Sequence, residues 1–216
     1  NLNPDEIYDQ VKAIDKESRL YHSRPLSNIV FMGMGEPLMN YNNLLKSIEK
    51  ITSEEGMAMS PKRITVSTSG VPKMIKKLAD DEVKFNLAVS LHSAIQETRE
   101  QIMPFAKKFT LIDLKESLEY WYEKTNRRIT YEYVVWEGIN DSTEDINALI
   151  KFCRYVPSKV NLIEYNPIDD GEFKQASSKV TNNYIAALEK SRIPVTVRRS
   201  RGKDIDAACG QLANKQ

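Results

Sequence analysis

Short apolar segments alternate with longer amphipathic segments along most of the chain. The apolar runs lie at residues 28–32, 63–67, 85–91, 129–136, 160–165 and 195–197. The run at 28–32 is continuous and is followed by glycine, which is typical of a strand buried on both faces of a parallel sheet. Helices are predicted at 4–16, 41–53, 72–79, around 97–99, at 111–125, after a cap at Ser142 or Thr143, and at 180–190. This alternation predicts an α/β fold with a mainly parallel sheet.

Polar side chains occur where successive predicted strands end. They are Glu36, Ser67, Ser90, His92 and Asn166. Parallel α/β sheets and barrels gather their ligand sites at the carboxyl ends of the strands. One curved sheet would bring these residues together, so we expect a binding site at this edge.

Each of these residues also has a simpler structural interpretation. The segment around Glu36 could be an ordinary glycine-containing turn, and Asn166 could start a turn before the proline that follows it. Ser67 or Ser69 could cap the following helix. His92 could be a hydrogen-bonded structural group. The binding-site interpretation therefore depends on the residues acting together.

The charge balance excludes indiscriminate binding to nucleic acid. The 31 Lys and Arg residues against 30 Asp and Glu residues give a net charge of +1 over 216 residues. Because the whole chain creates no strong positive field, any RNA contact must be local. The candidate residues for such a contact are Arg198, Arg199, Arg201 and Lys203, and a solvated basic edge is the alternative.

The two cysteines differ in their surroundings. Cys153 lies among apolar residues on a predicted helix, so we expect it in the core. Cys209 is flanked by Ala207, Ala208 and Gly210, whose small side chains would let a planar partner approach closely. Two cysteines form no disulfide framework, and no segment is apolar for long enough to cross a membrane, so we expect a cytoplasmic protein with no membrane partner.

Several common enzyme signatures are absent from the sequence. It contains no phosphate-binding Walker loop, no convincing dinucleotide fingerprint, no zinc-ligand spacing and no nucleophile elbow. Ordinary kinase, dehydrogenase and hydrolase functions are therefore disfavoured.

The motifs at the strand ends and at the C-terminus match a known family nearly end to end. The segments are GMGEP at 33–37, STSG at 67–70, SLH at 90–92, NLI at 161–163, NP at 166–167, and the stretch from RG at 201–202 to GQL at 210–212. In this order and approximate spacing, the chain resembles the radical S-adenosylmethionine (SAM) RNA methyltransferases of the RlmN type.

The resemblance implies a partial, TIM-like α/β barrel of the radical SAM type that holds SAM across the strand ends. Gly35 and Glu36 would meet the amino and carboxylate end of the cofactor. Its pocket would be completed by Ser67, Ser90, Leu91, His92 and Asn166. Cys209 would be methylated by one SAM, and a radical generated from a second SAM would transfer that carbon to C2 of an adenine.

The resemblance also implies substrates and partners. The substrates would be an adenosine of large-subunit (23S) ribosomal RNA and one in transfer RNA, and an electron donor would reduce a 4Fe–4S cluster. Family members hold that cluster with a C-x3-C-x2-C motif, which this chain lacks. We therefore expect residues 1–216 to be a single radical SAM core fragment that lacks the first strand and the cluster loop, contains no metal ligands and is inactive alone. Residues 198–216 would form its catalytic-cysteine segment.

Two other functions remain open from the sequence. The chain could be a non-catalytic RNA-binding module derived from the same barrel. A weaker alternative is a TIM-type metabolic enzyme that uses Glu36 and His92 as acid and base. The sequence does not predict the oligomeric state.

Overall fold

The computed structural model describes residues 1–32, 35–166 and 173–199. Helices and strands alternate along these ranges, except that α4 and α5 follow each other without a strand between them. In chain order they are α1 (Pro4–His22), β1 (Ile29–Phe31), α2 (Tyr41–Thr52), β2 (Ile64–Thr68), α3 (Pro72–Asp80), β3 (Asn86–Ser90), α4 (Gln96–Ile102), α5 (Leu111–Thr125), β4 (Ile129–Val134), α6 (Thr143–Cys153), β5 (Ser158–Ile163), α7 (Ser178–Lys190) and β6 (Val195–Arg198). Short 3-10 helices cover Pro37–Asn40, Pro61–Arg63 and Pro104–Lys107. The predicted alternation is confirmed.

The strands follow one another in the sheet in the order β1-β2-β3-β4-β5-β6. The pairs β1–β2, β4–β5 and β5–β6 are parallel. Each of these connections crosses over through a helix, as parallel pairing requires. The chain divides into two compact units, and the division runs through β3: the first unit is Asn1–Thr68 with Val83–Ala88, and the second is Ser69–Glu82 with the chain from Val89 onward. The prediction of a single domain stays a prediction.

The first unit contains α1, α2, β1 and β2. The inward faces of α2 and β2 supply its buried core: Leu44, Ile48, Ile51, Ile64 and Val66. The prediction that 28–32 is buried on both faces is wrong, because Val30 is 48% exposed. The physical reason is its place in the sheet, where β1 is the first strand and pairs, among the described residues, with β2 alone.

Helix α1 contributes little to that core. None of its side chains is fully buried, and Ile14, which has helical spacing with Ile7 and Val11, is 57% exposed. The helix begins as predicted at Pro4, after an Asn3 cap whose side chain accepts hydrogen bonds from the amides of Asp5 and Glu6. Its length therefore depends on local capping more than on packing.

The second unit has a dense aromatic and aliphatic core. Helix α5 packs on α3 and buries Leu114, Leu118 and Trp121, as its spacing predicts. On the other side of the unit, Tyr131 of β4 packs edge-on against Phe152 of α6. Cys153 is buried next to Phe152, which confirms its predicted place in the core. Burial raises the pKa of its thiol to about 12.

Candidate functional site

In the first unit, the segment after β1 places Glu36 at the start of a short helix. Gly35 has φ of +100°, a conformation that favours glycine. The half-buried Glu36 follows it, and its Oε1 accepts a hydrogen bond from the amide of Leu38 at 3.0 Å. Glu36 thus caps the 3-10 helix Pro37–Asn40. The capping role explains why an acid precedes proline here, and it leaves the cofactor role as a prediction.

Neither serine near the end of β2 caps the helix that follows. The N-cap of α3 is Val71, which makes no side-chain capping hydrogen bond. Ser67 is instead a buried residue inside β2, at 4% exposure. The helix-cap interpretation of Ser67 and Ser69 is therefore wrong, because α3 begins with Pro72, whose ring already fixes the starting backbone angle.

In the second unit, the turn after β3 is held in an unusual backbone conformation. His92 has φ of +56°, in the left-handed region that few residues other than glycine adopt. The amides of Leu91 and His92 both donate to the carbonyl of Glu132 on β4, at 3.0 Å and 3.4 Å. The amide of Ser93 donates to the carbonyl of Leu91 at 2.7 Å. We call residues 90–93 the β3 turn.

Asn140 fastens the β3 turn to the loop after β4. Its side chain is fully buried, and its Nδ2 donates to the carbonyls of His92 at 2.6 Å and Val134 at 2.9 Å. Its Oδ1 accepts from the amide of Trp136 at 2.7 Å. The hydroxyl of Tyr184 donates to the backbone carbonyl of Asn140 at 2.6 Å, so α7 supports the same loop.

The contacts of the His92 ring define its protonation. The amide of Val134 donates to Nδ1 at 3.2 Å, so Nδ1 carries the lone pair and the ring proton of the neutral imidazole sits on Nε2. Burial, with a smaller contribution from the positive charge of Arg99, lowers the pKa of His92 to about 4. At neutral pH His92 is therefore an uncharged group whose Nε2–H can donate a hydrogen bond.

Arg99, on α4, also supports the β3 turn. Its guanidinium donates to the carbonyls of Leu91 at 3.2 Å, Ser90 at 3.3 Å and Ser69 at 2.8 Å. Sequence patterns alone did not single out Arg99 or Asn140 as site residues. The available signal was weak: an arginine on the apolar side of a short helix and an asparagine two residues after a glycine.

A line of polar side chains crosses from β4 to β6 at the same level of the sheet. Glu132 pairs in register with Asn161, and Asn161 pairs with Thr196. The Nδ2 of Asn161 donates to Oε1 of Glu132 at 3.0 Å, and the hydroxyl of Thr196 donates to Oδ1 of Asn161. Burial raises the pKa of Glu132, against the opposing effects of the Asn161 hydrogen bond and the charge of Arg198. Its Oε2 is buried without a hydrogen-bond partner.

Beyond β5, Asn166 adjoins an aromatic cluster. The Trp136 ring lies edge-on to those of His92 and Tyr165, with centroids 5.6 Å and 5.9 Å apart. Three polar atoms there are buried without a partner: Nε1 of Trp136, the hydroxyl of Tyr165 and Oδ1 of Asn166. Unpartnered buried polar atoms are uncommon in native proteins and point to a bound polar group or water.

Some predicted residues lie elsewhere or outside the described ranges. Arg198 and Arg199 are exposed at the end of β6. Cys209, Arg201, Lys203 and Pro167 lie outside the described residues, so their predicted roles stay predictions. Across the described ranges, no group of three or more His, Cys, Asp or Glu side chains could hold a metal ion. In the same ranges, every helix is too short or too polar to cross a membrane.

Comparison with known proteins agrees with the resemblance that the sequence motifs suggest. No family model matches the chain. A protein of Flavobacterium johnsoniae, described as a probable dual-specificity RNA methyltransferase RlmN, is 73% identical over 216 residues, which are all of this chain and 62% of that protein. The resemblance to the RlmN-type family is confirmed. The chain thus spans less than two thirds of the RlmN-type relative it matches.

Solved structures confirm the fold class. A radical SAM methyltransferase from Sphaerobacter thermophilus superposes with a TM-score of 0.93 at 39% identity, over 98% of this chain and 62% of that one. SuiB of Streptococcus suis, bound to S-adenosylmethionine, has a TM-score of 0.62 at 14% identity over 97% of this chain and 46% of that one, which shows a shared fold alone. The chain has the predicted fold, an incomplete TIM-like barrel of the radical SAM type.

Proposed function

We propose that this chain is the SAM-binding part of a radical SAM methyltransferase that methylates C2 of adenosine in 23S ribosomal RNA and in transfer RNA. The observation that carries the proposal is the β3 turn. Its SLH sequence is one of the motifs shared with the RlmN type, and Arg99, Asn140 and Glu132 together hold it in a fixed, partly left-handed conformation. Such preorganisation is expected of a ligand-binding turn more than of an ordinary connection.

The chemistry of the second unit fits a SAM molecule. The Oδ1 of Asn166 is a buried acceptor without a partner, which suits an amine or hydroxyl donor of the ligand. The Nε2–H of His92 is a donor that does not ionise near neutral pH. The resemblance assigns Ser90 and Leu91 to the same cofactor, and also Gly35, Glu36 and Ser67 of the first unit.

The residues of this chain do not fit a 4Fe–4S cluster. Such a cluster takes several cysteine thiolates, whereas the chain has two cysteines, of which Cys153 is buried with its pKa raised. We propose that the cluster ligands belong to a part of the longer protein outside these 216 residues, and that an electron donor reduces the cluster.

Cys209 is the proposed carrier of the methyl group. C2 of adenine is electron-poor, so direct polar transfer of a methyl cation from SAM to this carbon is unfavourable. A thioether on Cys209 would give the transferred carbon a covalent attachment before it reaches the base. The small neighbours of Cys209 would admit a base flipped out of the RNA stack, and Arg198, Arg199, Arg201 and Lys203 would contact RNA phosphates.

The test is methylation by the full-length protein, reconstituted with iron and sulfide without oxygen. SAM, a reductant and RNA are supplied, and methylated adenosine is measured by mass spectrometry after nuclease digestion. We expect product with 23S ribosomal RNA and with transfer RNA, none with Cys209→Ala, and unchanged product with the matched control Cys153→Ala if it remains folded. Product from Cys209→Ala would refute the carrier role.

The alternatives make different predictions. A non-catalytic RNA-binding module would bind RNA but produce no methyladenosine in this assay. The metabolic-enzyme alternative, with His92 as a base, conflicts with the observed contacts. The lone pair of its ring lies on Nδ1, which already accepts the Val134 amide.

A further inference from the structure

Arg99 is buried in a way that is costly for a charged residue. Its side chain has 0% exposure, and Nη1 has no hydrogen-bond partner. Burial lowers its pKa to about 10, so the guanidinium still carries its charge at neutral pH. Within the described ranges no carboxylate forms an ion pair with it. A buried charge without a counter-charge is destabilising compared with an apolar residue of similar size.

An apolar residue at position 99 could not bind carbonyl groups from separate segments of the chain. The Nη2 of Arg99 donates to the carbonyl of Ser69, which directly follows β2, and to that of Ser90 at the end of β3. Its Nε donates to the carbonyl of Leu91. The planar fork of a guanidinium can make these bonds at once, while a lysine ammonium at the end of its flexible stem cannot reproduce their geometry.

Gly70 lies close to the Arg99 guanidinium. Its φ is +99°, and a Cβ at this position would lie 3.1 Å from Cδ1 of Leu114 and 3.5 Å from Nη2 of Arg99. The tight contact would be with Leu114, whereas the distance to Nη2 is an ordinary van der Waals separation. Gly70 thus packs beside the guanidinium without limiting its bond to the Ser69 carbonyl.

We propose that Arg99 is a positioning residue for cofactor binding, which fixes the carbonyls of Ser69, Ser90 and Leu91 so that the β3 turn presents its polar groups to SAM. The inference rests on the proposed function, because it concerns the same site. It extends that function to a residue that binds the backbone carbonyls of the turn. Asn140 holds the His92 carbonyl, so the carbonyls of 90, 91 and 92 are all bound by side chains.

The test compares Arg99→Lys with Arg154→Lys, an exposed arginine of the same unit, in the full-length protein. Supporting groups behind a metal ligand commonly contribute about 10- to 100-fold to affinity, and we expect Arg99→Lys to weaken SAM binding by about tenfold. Turnover at saturating SAM should change much less than the KM for SAM. Amide hydrogen exchange of residues 90–93, measured without ligand, should become faster, while exchange in α7 stays unchanged. Arg154→Lys should match the unsubstituted protein in all three measurements.

A purely structural role gives a different result. If Arg99→Lys lowers the melting temperature but leaves SAM affinity and exchange at 90–93 unchanged, the inference is wrong. If the unsubstituted protein binds no SAM, the proposed function fails, and ligand-free exchange at 90–93 still decides whether Arg99 positions the turn. If Arg99→Lys does not fold, the unsubstituted protein labelled with ¹⁵N-arginine decides: addition of SAM should shift the Arg99 Nε–H resonance, and an unshifted resonance would overturn the proposal.

Discussion

Replacing Asn140 with alanine should destabilise the protein far more than replacing an exposed asparagine. The substitution removes the partner of three backbone groups: the buried amide of Trp136, the buried carbonyl of Val134 and the partly buried carbonyl of His92. Leaving one buried polar group unsatisfied costs about 1–3 kcal/mol. Water that enters the space left by the side chain would satisfy some of these groups. We therefore expect a loss of about 3 to 5 kcal/mol in the free energy of unfolding.

Urea unfolding, followed by tryptophan fluorescence and by circular dichroism, measures this loss. The matched control is Asn182→Ala on the exposed face of α7, which should change stability by less than about 0.5 kcal/mol. The fluorescence of Trp136 also reports directly on the loop that Asn140 holds. A loss below about 1 kcal/mol for Asn140→Ala would refute the claim that this side chain fastens the β3 turn.

Three further predictions follow from the same contacts. The pKa of His92 is lowered to about 4 in the folded state, so the unfolded state takes up the proton first as the pH falls. The free energy of unfolding should therefore fall by about 3 kcal/mol as the pH drops from 6.5 to 4. His92→Gln should flatten that part of the pH profile, measured as the midpoint of urea unfolding. Gly70→Ala should lower the free energy of unfolding by about 1–3 kcal/mol. Gly138→Ala should cost less, because a Cβ at position 138 would meet nothing within 4 Å. Equal losses for the two variants in urea unfolding would contradict the clash with Leu114. Cys153 should resist a thiol reagent at pH 8 until the protein is denatured. Rapid labelling of the peptide that contains Cys153 in the native protein, measured by mass spectrometry, would show that its thiol is not buried.

The sequence predicted the elements well because their signals are local. Helix α5 has the predicted bounds, Leu111–Thr125, since a Thr110 cap and apolar spacing both lie within the segment. Ser142, one of the two residues predicted as the cap of α6, is the cap in the structure. Val30 shows the limit of such signals: an apolar run predicts a strand, but its burial depends on which other strands pair with it.

The family motifs name residues 90–92 of the β3 turn, and their role in the site stays a prediction. The supporting residues were missed for a physical reason: Arg99 and Asn140 act through backbone carbonyls that are distant along the chain, at separations of 30 residues to Ser69 and 48 residues to His92. A local sequence pattern cannot predict hydrogen bonds between residues so far apart in the chain. The tautomer of His92 likewise depends on an amide 42 residues away, at Val134.

The most direct test of the account is hydrogen exchange of the full-length protein with and without SAM. SAM should slow exchange in the β3 turn, residues 90–93, and around Asn166, while exchange in the exposed helix α1 should be unaffected. Clear SAM binding without protection of the β3 turn would contradict the assignment of this turn to the cofactor.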